Sequence, residues 1–456
     1  MPLIKSISGI RGTIGGLSGE NLTPIDIVEA SAAYAAWVKD ETGNARVVIG
    51  RDGRISGELV SQLVCATLRS MGISVIDLGL STTPTVEMAV PRLGAGGGII
   101  LTASHNPREW NALKLLNAQG EFISAAQGQN LLDRIASGGL HFAEVDALGH
   151  YEMYTGALSA HIQAILALPL VDATAIHQKA YRVVVDAVNS TGALSVPPLL
   201  HALGCDVILL HGEVNGEFAH NPEPLAEHLG DLADAVVRHK ADLGIAVDPD
   251  VDRLVFMNEN GVLFGEEYTL VAVADYILSK RPGNTVSNLS SSRALRDVTE
   301  KHGGTYYAAA VGEVNVVSEM KAVQAVIGGE GNGGIILPEL HYGRDALVGI
   351  ALFLTHLAHS GLSMSALRST YPAYAMVKAK MPRDPHVKLD DLFAILENKH
   401  TDQQINRVDG FKIDFPHGWV HLRASNTEPI LRIYAEAPTE TEAQLLVDQI
   451  RADLHS

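Results

Sequence analysis

RVVIGRDGRISGELVSQLVCATLRSMG, residues 46–72, decides the fold. An apolar β-type run, Val47–Ile49, enters a charged loop holding Gly50 and Gly53. A helix-like stretch follows and stops at Gly72, where a helix end favours positive φ. The same order returns in RVVVDAVNSTGALSVPPLLHALG, 182–204, and in NTVSNLSSSRALRDVTEKHGG, 284–304. A second strand succeeds each copy: ISVIDLG (73–79), CDVILLH (205–211) and TYYAAAVG (305–312). Third strands then end in unusual loops: GGGIILTASHNP (96–107), ADLGIAVDPDVDR (241–253) and QAVIGGEGNGG (324–334).

Strands alternating with helices, several of them apolar throughout, predict parallel or mixed sheets covered on both faces. Ligands of such sheets sit beyond the carboxyl ends of the strands, where all three loops lie. After Tyr371 the pattern changes to short alternating strands at 411–415, 419–422 and 430–435. A closing helix is capped by Thr439, and Pro372, Pro382 and Pro385 mark a connection before it. The expected architecture is three similar α/β domains, 1–150, 151–255 and 256–370, and a smaller α+β domain, 371–456.

The 456 residues are 46% hydrophobic and 19% charged, enough for sizeable cores. The net charge of −18 disfavours nucleic acid and anionic membranes, so a phosphorylated substrate needs a local cluster of cations. No apolar run approaches the ~18–20 residues of a membrane span, and the N-terminus lacks a signal-type apolar region. Cys65 and Cys205 are the two cysteines and predict no disulfide framework. These features predict a soluble cytoplasmic protein and leave its assembly state open.

Four loops could carry chemistry. Thr102–Pro107 places the Ser104 hydroxyl at a strand's carboxyl end, although a polar turn closed by Asn106-Pro107 has the same composition. The G-x-S-x-G elbow of serine hydrolases is absent. Asp248, Asp250 and Asp252, two residues apart, would project one way from an extended chain and supply hard oxygens to Mg²⁺. Without a cation they would repel one another. Arg253 adds a positive group for a substrate oxygen. An EF-hand is excluded because Arg253 stands where that loop turns on Gly. A D-x-D phosphatase with Asp248 as nucleophile and Asp250 as acid remains the rival. The Gly328–Gly334 loop is not a Walker P-loop; Glu330 and Asn332 could read sugar hydroxyls, or the segment could be a glycine hairpin. Arg423–Pro429, with Arg432 on the next strand, has the composition of an anion nest or of an ordinary hairpin. Arg11, between glycines, and Lys114, close after Ser104, are further cations that solvent alone could occupy.

In this order and at these separations the four loops resemble the α-D-phosphohexomutases, the phosphoglucomutase/phosphomannomutase family, over essentially the whole chain. Gly9-Ile10-Arg11-Gly12 and Asn221-Pro222-Glu223-Pro224 look most like its phosphoglucosamine mutase branch. The resemblance implies four domains around a central cleft and interconversion of a hexose 6-phosphate and its 1-phosphate. Glucosamine phosphate ranks ahead of mannose or glucose phosphate. It implies that Ser104 carries the transferable phosphoryl group and completes a Mg²⁺ site with Asp248, Asp250 and Asp252. A hexose 1,6-bisphosphate is then intermediate and activator. Arg11, His105, Lys114 and Arg253 resemble groups assisting phosphoryl and proton transfer. Glu330 and Asn332 resemble sugar readers, and Arg423, Ser425, Asn426 and Thr427, joined by Arg432, the grip on the resting phosphate. The segment Tyr307–Glu313 departs from the family pattern, lacking the usual basic residue and Thr.

Overall fold

The computed structural model describes residues 3–6, 9–138, 140–383, 388–424 and 430–455. Each repeat folds as its pattern predicts. Strand Arg46–Arg51 leads to helix Gly57–Ser70, Arg182–Asp186 to Gly192–Ala202, and Thr285–Asn288 to Ala294–Lys301. Gly72, Gly204 and Gly303 take φ of +77°, +82° and +74°, the left-handed conformation that closes a helix cheaply only without a side chain.

The chain forms two compact units, residues 1–269 with 332–365 and residues 270–331 with 366–456. In the first unit a seven-stranded sheet runs in the order Ile4–Ser6, Gly9–Thr13, Trp110–Leu116, Gly97–Leu101, Arg46–Arg51, Ser74–Leu80, Tyr151–Met153. The last four strands are parallel and the first three antiparallel. Alternation along the central strands sends side chains to two cores. Val47, Ile49, Ile99 and Leu101 pack with Val60, Val64 and Leu68, while Val48, Ile76 and Ile100 pack with Val86 and Val90 of helix Thr83–Arg92. Gly97 is required by close approach. A Cβ there would stand 2.2 Å from Tyr34 Oη, which donates to the carbonyls of Gly98 and Leu116 at 3.0 and 2.6 Å.

The second sheet runs Leu254–Asn258, Leu243–Val247, Arg182–Asp186, Asp206–Leu210, antiparallel only at its first pair. Helix Ala346–Ser360 belongs to the same unit. Its Phe353 stacks on Phe256 at 3.9 Å and meets Phe264 edge-on at 5.1 Å. Of the stretch expected as a third domain, residues 256–269 and 332–365 fall in the first unit and 270–331 in the second.

In the second unit, strands Tyr306–Ala309, Thr285–Asn288 and Ile327–Glu330 lie parallel. The C-terminal sheet is antiparallel, in the order Ala375–Pro382, Ile430–Ala437, Gly418–Ala424, Phe411–Phe415, Gln404–Asn406. Strand Ala375–Pro382 corrects the sequence reading, which placed a connection there on the strength of the prolines. An edge strand tolerates Pro382 at its end because no ladder partner is needed on its outer side. One face of this sheet packs Ile413, Val420, Leu422 and Ile433 against Phe393, Val447 and Ile450 of its helices.

On the opposite face Lys412 is buried, its Nζ 4.2 Å over the Trp419 ring and donating to the Leu289 carbonyl at 2.8 Å. Burial pushes its ammonium down to about 8. The unfolded chain holds that proton up to about pH 10.4, so between the two values the unfolded state binds more protons and stability rises with pH. The urea midpoint should therefore climb between about pH 7.5 and 9.5, and Lys412→Met should flatten the climb. An identical slope in both proteins would show that Lys412 does not titrate there. Cys65 and Cys205 are both free and buried. Among the described residues no helix is long and apolar enough to cross a membrane.

Candidate active site

Ser104 follows the buried strand Gly97–Leu101. Its φ of +49° is costly for serine, on the order of 1–2 kcal/mol, and the surrounding loop enforces it. Arg54, fully buried, spreads its guanidinium over four backbone carbonyls of this loop. Nη2 donates to Ser104 at 2.5 Å and to Asn106 at 2.6 Å, and Nη1 to Pro107 at 2.7 Å and to Trp110 at 2.9 Å. Its Nε pairs with Asp52 at 3.0 Å. Asp52 also accepts the Thr102 hydroxyl at 2.6 Å, and Thr102 Oγ1 in turn accepts the Ser104 amide at 2.9 Å. Sequence reasoning missed Asp52 and Arg54. The available signal was their place at the carboxyl end of a parallel strand.

The three aspartates converge, although not for the expected reason. The strand ends at Val247, and Asp248–Asp252 is a turn in which Val251 takes φ +62° and donates to the Asp248 carbonyl. The turn curls successive carboxylates inward, where the pleated alternation of an extended chain would instead have aligned them. All three are buried, with ligand oxygens within 4.8 Å of one another. Asp248 Oδ2 accepts the Ser104 hydroxyl at 2.6 Å, and its Oδ1 accepts the amides of Asp252 and Arg253 at 3.1 and 3.0 Å. Lys114 Nζ donates to Asp250 at 2.7 Å and to Asp252 at 3.3 Å. Thr83 Oγ1 donates to Asp250 at 2.6 Å, and Arg344 Nη2 to Asp252 at 2.7 Å. Arg344, a lone arginine in a loop, had no signal in the sequence.

Electrostatics set the three carboxylates of the turn apart. Burial and the charges of Asp252 and Asp250 hold the Asp248 carboxyl well above its ordinary range. Burial would lift Asp250 too, but the Lys114 ammonium outweighs it and holds that carboxyl low. Two buried oxygens, Asp250 Oδ1 and Asp252 Oδ1, have no hydrogen-bond partner among the described residues. Orphaned hard oxygens beside a destabilised carboxylate fit Mg²⁺.

Arg253 points its Nη1 to Glu223 at 3.1 Å and its Nη2 to His105 Nε2 at 3.4 Å. Burial first, and then the Arg253 charge, push the His105 imidazole down to about 3, so the ring is neutral at physiological pH. Arg11 Nη1 donates to Asn106 Oδ1, in the serine loop, at 3.4 Å. Asn332 Oδ1 accepts the Gly334 amide at 3.3 Å. Glu259, twelfth residue of a loop counted from Asp248, is engaged by the amide and hydroxyl of Ser365.

The remaining candidates lie in the second unit. Glu330 is buried, and its Oε1 accepts Asn288 Nδ2 at 2.9 Å and the Gly312 amide at 3.2 Å. Asp409 accepts the Val311 amide at 2.9 Å and pairs with Arg423 Nε at 2.9 Å. The segment that departs from the family pattern thus contributes backbone amides that hold two acidic residues. Arg423 faces Arg432 directly across the antiparallel ladder, and Arg432 faces Lys380 on the next strand, so three cations share one face. Ser425, Asn426 and Thr427 lie outside the described residues.

Four family profiles match the chain: phosphoglucomutase/phosphomannomutase alpha/beta/alpha domain I over residues 4–141, domain II over 159–261, domain III over 265–374, and the C-terminal domain over 376–453. A phosphoglucomutase/phosphomannomutase of Thermococcus kodakarensis is 35% identical over 441 residues, 95% of each chain. A probable phosphoglucosamine mutase of Methanopyrus kandleri is 33% identical over 446 residues, 97% of this chain and 95% of that one. The crystal structure of a phosphoglucomutase/phosphomannomutase family protein from Burkholderia thailandensis superposes with a TM-score of 0.86 at 26% identity, covering 99% of this chain and 96% of its own. With all four domains matched in order, the chain belongs to the phosphoglucomutase/phosphomannomutase family.

Proposed function

We propose that this chain is a phosphohexomutase that exchanges the 6- and 1-phosphates of a hexose, with glucosamine phosphate as its preferred substrate. The observation that carries the reading is the Ser104 hydroxyl, held at 2.6 Å from Asp248 in a buried triple-aspartate turn. Asp248 itself is engaged by that hydroxyl and by two backbone amides, which favours a phosphorylated serine over an aspartate nucleophile. In the forward half-reaction the bond from phosphorus to Ser104 Oγ breaks as a bond to the free sugar hydroxyl forms, giving a hexose 1,6-bisphosphate. In the second half-reaction Ser104 Oγ takes the other phosphoryl group.

Phosphoryl transfer needs alignment and neutralisation of charge on the migrating group. Arg54 and Thr102 fix where Ser104 Oγ stands, and Lys114 and Arg344 hold Asp250 and Asp252 in place. Arg253, steadied by Glu223, offers guanidinium hydrogens to a phosphoryl oxygen beside the neutral His105 ring. Asp248, Asp250, Asp252 and Ser104 would hold Mg²⁺, which when bound supplies positive charge to the transferring oxygens. Arg11 is assigned to the substrate side of the serine loop. Glu330 and Asn332 are assigned to sugar hydroxyls, and Arg423, Ser425, Asn426, Thr427 and Arg432 to the phosphate that is not transferred. The match to phosphoglucosamine mutases over the whole chain supports the amino sugar. So does Glu223, which pairs with Arg253 from the Asn221–Pro224 segment that resembles that branch.

Side-by-side kcat/KM values for glucosamine, mannose and glucose 6-phosphates, with Mg²⁺ and catalytic bisphosphate, test this. Glucosamine 6-phosphate should lead by about tenfold or more, the worth of one satisfied polar contact. Equal values, or a lead for mannose, would overturn the assignment of the sugar. Release of inorganic phosphate without isomerisation would overturn the mutase.

A further inference from the structure

A second group of metal-type ligands stands on the sheet that carries the aspartate turn. Asp186 ends strand Arg182–Asp186, and His211 follows strand Asp206–Leu210, the parallel neighbour of that strand. His220 comes from the loop that leads on to Glu223. The buried Asp186 carboxylate meets His211 Nδ1 at 3.0 Å through Oδ1 and His220 Nε2 at 3.0 Å through Oδ2. The two rings lie edge to face with centroids 5.5 Å apart, and their side chains keep 19% and 16% exposure, enough to leave an entry path.

The far side of each ring is the second observation. His220 Nδ1 lies 2.7 Å from the Asn221 carbonyl, and His211 Nε2 lies 3.4 Å from the Asp231 carboxylate. Both outer nitrogens therefore face acceptors that hold their N–H, while each inner nitrogen meets Asp186 and would give up its proton to an ion. A histidine whose outer N–H is held by a carbonyl or a carboxylate is the usual support of a metal ligand.

We propose that Asp186, His211 and His220 form a site for a transition-metal dication, Zn²⁺ foremost, separate from the aspartate turn. Two imidazoles and one carboxylate suit a borderline ion and leave a position for water, whereas the all-oxygen turn suits Mg²⁺. Zinc–ligand bonds of about 2.0–2.1 Å make a tetrahedral edge of about 3.3 Å, and the ligand atoms of the three residues already lie within 4.8 Å of one another. The ion would pin the loop that places Phe218 over Arg54, 5.1 Å from ring centroid to Cζ, and Glu223 on Arg253. Strengthening those contacts makes it a structural ion, and the inference does not depend on the mutase reading.

Equilibrium dialysis of the full chain against Zn²⁺, with millimolar Mg²⁺ occupying the aspartate turn and bound zinc counted by elemental analysis, tests the site. The expected result is about one zinc per chain at micromolar or tighter affinity, with a rise in Tm. The paired change His211→Ala and His220→Ala should abolish both, and Asp231→Asn should weaken binding by about tenfold. Should the paired variant fail to fold, Co²⁺ added to the wild-type chain decides: ligand-field absorption in the visible that Asp231→Asn perturbs supports the site. No zinc retained by the folded wild type, or the same stoichiometry in a folded paired variant, would overturn it. Either result would show that the two imidazoles simply hydrogen-bond to Asp186.

Discussion

Ser104→Ala is expected to lower kcat by about 10⁴-fold or more, with the protein still folded, because the group that carries the phosphoryl is removed and no neighbouring hydroxyl can replace it. The Thr102 hydroxyl is already committed to Asp52, and the Thr83 hydroxyl to Asp250. A labelled hexose bisphosphate should leave an acid-stable phosphoryl group on Ser104 of the wild-type chain and none on the variant. An acid-labile label on Asp248, or turnover retained by Ser104→Ala, would establish the aspartate-phosphatase chemistry instead. The substitution also takes from Asp248 the hydroxyl donor that Ser104 supplies. Its carboxyl, already raised by burial and by its two neighbours, should rise further, and Mg²⁺ should bind more weakly at low pH.

Arg54→Met is expected to cost about 3–5 kcal/mol of folding stability, the range for breaking a buried ion pair from one side. The change strands Asp52 without its cation and leaves the carbonyls of Ser104, Asn106, Pro107 and Trp110 without their common donor. Urea unfolding reads the loss. The double variant Asp52→Asn with Arg54→Met should cost less than the two single changes summed, since the stranded charge is then gone. If Arg54→Met lost less than about 1 kcal/mol, the guanidinium would not be what holds the serine loop. Activity in the folded fraction should fall as well, because the left-handed turn at Ser104 would have lost its clamp.

Much of the architecture was legible because it depends on local order. Apolar runs of strand length, helix-period stretches and terminal glycines at 72, 204 and 303 are properties of short segments, and tertiary contacts did not override them. The site loops were legible for the same reason. Ser104 and the three aspartates each follow a buried strand, and the carboxyl ends of parallel strands are where such a fold exposes side chains. The strand Ala375–Pro382 was not legible, since its prolines rule out a central strand and only the sheet order shows it to be an edge.

The sequence by itself determined the repeated α/β plan, the serine and aspartate loops and the family. Each of these is written in residues close together along the chain. Only the tertiary structure decided which distant residues serve the site. Arg54 reaches four carbonyls some fifty residues away along the chain. Arg344 reaches Asp252, and Glu223 steadies Arg253. A buried cation must find its partners wherever the packed chain places acceptors, and an isolated arginine in a polar loop carries no local pattern that reveals where those acceptors will be.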